Sequence, residues 1–163
     1  APASVATVDT DVDNASGNDD DDSEDGGDTD DAEEQTNGAD VVGVTETGKS
    51  GAYVFSVSLL SHDTGCDHYA DWWEVLDESG VLIYRRILNH SHPDEQPFTR
   101  SGEAMDVTAT QVLIVRGHMN ETGYGGMAYS GTVSSGFAEA PDIGVDFAAG
   151  VENQGEQPED CWY

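Results

Sequence analysis

Positive charge is what this chain has least of. One lysine, Lys49, and four arginines, Arg85, Arg86, Arg100 and Arg116, stand against 34 acidic residues among 163, a formal net charge of -29. With no basic patch to release phosphate counterions, nucleic acid and anionic membrane surfaces are excluded as partners. Long apolar runs are also missing, and no stretch approaches the roughly 20 residues of a membrane-spanning helix. No segment carries a sustained 3.6-residue apolar stripe, which argues against a helical domain. Cysteine is scarce, with only Cys66 and Cys161. The chain opens at Ala1-Pro2 with neither Met nor a basic-apolar leader, as expected of an exported chain whose signal peptide has been removed.

The acids are spread along the whole chain: sixteen in residues 1–46, twelve in 51–140 and six in 141–163. Abundant aspartate with almost no lysine fits a halophile, where high salt screens self-repulsion. Residues 1–48 hold hardly a bulky apolar side chain and cannot bury enough surface to offset ordering entropy. They read as a disordered acidic tether. Asp9, Asp11 and Asp13, followed by Asp19 to Asp22, mimic a calcium loop, but the glycine at loop position six and the flanking helices are missing. A solvated spacer is the better reading and calcium the minor one.

Order is expected from about residue 49. Tyr53, Phe55, Val57 and Leu59 alternate with smaller residues, the period-2 pattern of a half-buried strand. Residues 71–76 (DWWEVL) and 81–88 (VLIYRRIL) flank a turn at 77–80 and read as a hairpin. Residues 111–116 and, more weakly, 127–133 are further strands, and 98–107 contains another. The expected fold is all-β, a small antiparallel β-sandwich of immunoglobulin or fibronectin type over 49–140. An acidic C-terminal extension follows over 141–163. Trp72 and Trp73 face opposite sides of their strand, so at most one lies in the core and the other is covered by a loop or forms a binding surface.

All five histidines, His62, His68, His90, His92 and His118, fall between residues 62 and 118. If successive strands alternate direction, the connections 62–70, 89–97 and 118–126 all emerge at one end of the sandwich and carry every histidine there. Imidazole is the commonest transition-metal ligand, so these five with Asp67 form a candidate zinc or copper site. Asp71, Glu95, Tyr69, Tyr124 and Arg100 would support them from behind. The competing reading is that the histidines only cap and organise loops.

Several motifs at this end admit rival chemistries. His90-Ser91-His92-Pro93 matches the start of the JAMM zinc isopeptidase signature, but Ser101 and Asp106 follow at the wrong spacing. In that reading Glu95 would be general base on a metal-bound water. Asp63-Thr64-Gly65 resembles the aspartic-protease triplet, which needs two carboxylates sharing a proton, so a turn closing a strand explains a single copy better. In an exported protein an even cysteine pair points to a Cys66–Cys161 disulfide, with thiolate ligation by Cys66 as the alternative. Asn14, Asn89 and Asn120 begin N-glycosylation sequons, and sugars on the last two would crowd the histidine end.

The strings His62-Asp-Thr-Gly65, Asp67-His-Tyr-Ala-Asp71, Trp73, Glu95-Gln-Pro-Phe-Thr-Arg-Ser101 and Gly123-Tyr-Gly-Gly126 resemble a family of small exported proteins from bacteria and halophilic archaea. The likeness covers about 70 residues of this chain. Relatives have Trp in place of Cys66 and His-Pro-His in place of His90-Ser-His92, which makes a disulfide peculiar to this chain plausible. The resemblance implies a secreted β-rich domain and supplies no activity. The expectation is therefore a secreted or surface-tethered binding module with a metal-binding histidine end and extracellular protein partners. The alternatives are a zinc-dependent hydrolase at the same cluster and a purely structural surface module.

Overall fold

The computed structural model describes residues 38–162. The Asn14 sequon and the aspartates from Asp9 to Asp22 lie outside them. Eight strands follow in order: β1 (Asp40–Lys49), β2 (Ala52–Leu60), β3 (Ala70–Asp77), β4 (Leu82–Ile87), β5 (Phe98–Ser101), β6 (Leu113–Met119), β7 (Tyr129–Thr132) and β8 (Gly136–Glu139). A short 3-10 helix (Ala149–Asn153) comes last. The strands form two antiparallel sheets, β1-β2-β5 and β4-β3-β6-β7-β8, so the all-β sandwich expected from periodicity is the fold.

The expected boundary of the acidic tether needs correction, because β1 occupies Asp40–Lys49, inside the stretch 1–48. Val41 is buried and Val44 packs on the core, while Gly48 and Lys49 pair back onto Tyr53 and Ala52 of β2. Two apolar side chains in a hairpin suffice to add an edge strand, since the partner strand satisfies the backbone. The core lies between the sheets. Phe55, Val57, Leu59 and Phe98 meet Trp73, Val75, Leu113 and Val115 across it, and each such buried side chain contributes about 1.5–3 kcal/mol.

Strands β3 and β6 are buried on both faces, not one. The outer face of their sheet is covered by the C-terminal segment, whose Phe147, Ala148 and Val151 pack with Leu76, Ile114 and Leu82. Trp73 thus enters the core and Trp72 lies under this cover. The Cys66–Cys161 disulfide, spanning 95 residues, fastens the segment to the 61–69 loop, so Cys66 is not a thiolate ligand. A bridge of Trp162 to His90 fastens it a second time.

Candidate functional site at the histidine end

The three histidine-bearing connections converge, as strand parity requires. Asp63 is the hub. Its Oδ1 accepts from Ser61 Oγ (2.7 Å) and Ala70 N (3.0 Å), and its Oδ2 from His92 N (2.7 Å). Gln96 ties the 88–97 loop to the same place, accepting from Ser61 N (2.7 Å). Asn120 joins the third loop: its Oδ1 accepts from Tyr69 N (3.0 Å) and its Nδ2 donates to Cys66 O (3.1 Å) and Asp67 O (3.3 Å). Asp63-Thr-Gly is therefore an architectural turn. Gly126 has its own reason: a Cβ there would collide with the Ala39 backbone, where β1 enters against the 123–127 turn.

Convergence of loops does not gather the histidine side chains. Among the described residues no group of three or more His, Cys, Asp and Glu is arranged to hold a metal ion. His118, at the end of β6, points to the outer face of its sheet. Its Nδ1 meets Asp71 Oδ1 at 2.6 Å and its Nε2 meets Glu152 Oε2 at 2.7 Å, so both positions a metal would need are filled by carboxylates. Its ring stacks on Trp72 at 3.7 Å and 4°. Burial raises the Asp71 carboxyl, and the hydrogen bond from His118 works against that rise. His68 Nδ1 faces Glu121 at 3.1 Å. His62 and Asp67 are exposed on the 61–69 loop.

Beside His118 lies a charged row that the sequence reading did not single out. Register places Arg85, Glu74 and Arg116 directly opposite one another on β4, β3 and β6. The Glu74 side chain is fully buried, with Oε1 2.7 Å from Arg85 Nη2 and Oε2 2.8 Å from Arg116 Nε. The remaining guanidinium hydrogens clamp the cover. Arg85 donates to the carbonyls of Val151, Gln154 and Glu156, and Arg116 to those of Phe147 and Ala148. Arg85 also lies over Trp72 at 3.9 Å and Arg116 over Tyr124 at 3.5 Å. Burial beside Glu74 pushes the Tyr124 phenol well above its ordinary value. Burial also raises Tyr69, with Asp71 and Asp63 adding to it. A charge at the centre of each apolar run (DWWEVL, IYRRI, LIVRG) was the signal that could have revealed this row.

His90 and His92 are placed differently. They share a cavity of about 200 Å3 with Arg86, Asn89, Arg100 and Trp162. Their ring centroids are 6.3 Å apart. His92 is 7% exposed, stacks on Phe98 at 3.9 Å, and buries an Nδ1 that makes no hydrogen bond and lies 3.7 Å from Asp63 Oδ2. That burial, with Arg100 nearby, lowers its pKa and favours the neutral ring that metals bind. Glu95 is held by Arg100 (3.1 and 3.4 Å), whose hydrogen bonds and charge keep the carboxyl below its usual range. A carboxylate so held is a weak base, which disfavours the hydrolase assignment.

No family model matches the chain. A protein of Halomicrobium mukohataei, provisionally named a lipoprotein, is 41% identical over 109 residues, 66% of this chain. The chain spans about half (54%) of that relative's length. A solved superoxide reductase (neelaredoxin) from Ignicoccus hospitalis superposes with a TM-score of 0.39 and 16% identity, covering 63% of this chain and 82% of that one.

Proposed function

We propose that this chain is an extracellular, surface-tethered β-sandwich module of a halophile whose His90–His92 cavity binds a divalent transition metal, zinc or copper, without turnover. The observation that carries the metal reading is that His90 and His92 open into one cavity, with His92 Nδ1 only loosely paired to Asp63 (3.7 Å), while His118 and His68 are hydrogen-bonded to carboxylates. Two imidazoles on an H-x-H segment supply half of a tetrahedral set, leaving the rest to water or to a partner's donor. The disulfide supports an oxidising compartment. The lipoprotein name of the halophile relative supports a membrane anchor beyond the acidic segment. Among the described residues no helix is long and apolar enough to cross a membrane. The short exported family that the sequence resembles fits the same placement.

Metal analysis of untagged protein tests the reading. Zinc or copper is expected in near-stoichiometric amount, and His90→Ala/His92→Phe, which keeps a ring stacked on Phe98, should lose it while still unfolding cooperatively. Absence of bound metal after equilibration with either ion would end the metal proposal. The rival reading, a module that only scaffolds the surface, is favoured by the absorption of Asp63, His118 and Asn120 into loop-to-loop hydrogen bonds. It predicts no metal in either protein.

A further inference from the structure

The two described sequons differ in one respect that decides their use. Asn89 and Asn120 are both exposed, so exposure alone does not separate them. Asn120 spends its side-chain amide on structure: Nδ2 donates to the carbonyls of Cys66 and Asp67 while Oδ1 receives Tyr69 N. A sugar on Nδ2 would replace one of those protons and push the disulfide loop away. The Asn89 side chain opens instead onto a cavity of about 560 Å3 that it lines with Glu156, Gln157, Glu159, Asp160 and Trp162.

That cavity has the chemistry of a sugar cradle. Trp162 is 60% exposed, unusual for so large an apolar ring, and its face is the kind of surface on which pyranose C–H groups pack. The acids around it offer acceptors suited to neutral hydroxyls, as does the Gln157 side-chain carbonyl, whose amide nitrogen is spent on the carbonyls of Glu152 and Gln154. Its size falls in the roughly 300–1,000 Å3 range of small-ligand clefts. Trp162 is locked beside the sequon by backbone bonds on both sides, donating to Asn89 O (2.6 Å) and accepting from Ser91 N (3.2 Å).

A second observation comes from the sequon's own hydroxyl. Ser91 is 9% exposed, and its Oγ is buried without a hydrogen-bond partner. Folding gains nothing from an unsatisfied hydroxyl there. Its presence makes sense if the hydroxyl is read before the Trp162 segment closes over it.

We infer that Asn89 carries an N-linked glycan whose first sugars lie on Trp162, and that Asn120 carries none. The transfer needs a phosphate-activated oligosaccharide and a separate transferase. Asn89 Nδ2 forms the bond to the anomeric carbon as the C–O bond to phosphate breaks. The phosphate leaves with the electron pair, and the amide gives up one proton to a base. This proposal does not require a metal, but Asn89 and Trp162 also line the His90–His92 cavity, so a glycan there would narrow access to those rings.

The full chain, expressed in a halophilic host that glycosylates its exported proteins, is digested for glycopeptide mass spectrometry. The peptide holding Asn89 is expected to carry saccharide mass, lost in Asn89→Gln and equally in Ser91→Ala, while the Asn120 peptide stays unmodified. An unmodified Asn89 peptide, or sugar on Asn120, would overturn the assignment. Hydroxyl-radical labelling of Trp162 then tests the cradle: it should rise severalfold in Asn89→Gln, and unchanged labelling would show that the sugar does not lie there.

Discussion

Arg85 and Arg86 are neighbours in β4 and lead opposite lives. Arg85 turns to the outer face of the sheet, where Glu74, Trp72 and the C-terminal cover consume its hydrogens. Arg86 donates to the Ser101 and Ile87 carbonyls and lines the cavity of His90 and His92. The histidines divide the same way: His118 has a carboxylate hydrogen-bonded to each nitrogen, and His92 has a buried Nδ1 that makes no hydrogen bond and lies 3.7 Å from Asp63 Oδ2. A polar group whose bonds are all made inside the protein is part of the architecture. One that lines a cavity with hydrogen-bonding capacity unspent is open to a ligand.

The first way to break this division is to strike the covered face. Glu74→Ala leaves two buried guanidiniums without a counter-charge. Truncating one partner of a buried ion pair costs about 3–5 kcal/mol, and here a single carboxylate serves two partners. The largest loss of stability in the molecule is expected at this residue, read as a fall in the urea midpoint. A loss below about 1 kcal/mol would mean that water reaches the row and the cover is loose.

Cutting the cover's anchor comes next. The disulfide closes a loop of 95 residues, for which chain entropy sets a stabilisation of about 4–5 kcal/mol as an upper expectation. Cys66→Ser/Cys161→Ser should lose about 2–4 kcal/mol, because Arg85 and Arg116 still hold the segment through their backbone contacts. Proteolysis near the C-terminus should accelerate in the double variant. If it does not, the arginine clamps alone hold the cover, and the disulfide acts only on the unfolded chain.

Sequence revealed the fold where alternation was clean. Phe55, Val57 and Leu59 dictated β2, and counting strand directions brought the three histidine-bearing connections together. The same counting could not say where the imidazoles point. His118 lies inside β6, and a ring on a strand goes to whichever face its position dictates, here the face opposite the core. Burial of that face depended on residues 143–156, where Ile143, Phe147 and Val151 recur every fourth residue, a cue obscured by the acids and glycines around them. Glu74 was the readable clue, since a carboxylate in the centre of DWWEVL has to find cations across the sheet. β1 was missed because Val41 and Val44 are too few to outweigh an acidic neighbourhood in composition alone.

The smallest expected effect bears most directly on the open end. In metal-free protein, His92 is held neutral by burial and by Arg100, so its folded pKa lies below the value of about 6.5 that it has in the unfolded chain. Between those two values the unfolded chain binds the extra proton and the native state does not. Stability therefore rises with pH across that window, is complete above about 6.5, and is lost as pH falls through the folded pKa. One proton limits the slope to about 1.4 kcal/mol per pH unit. His92→Phe, which can keep the stack on Phe98 without titrating, should flatten the pH dependence of stability below about pH 6.5 when chelator is present. An unchanged slope in His92→Phe would mean that some other group takes up the proton. His92 would then join His118 among the rings that the fold has already satisfied.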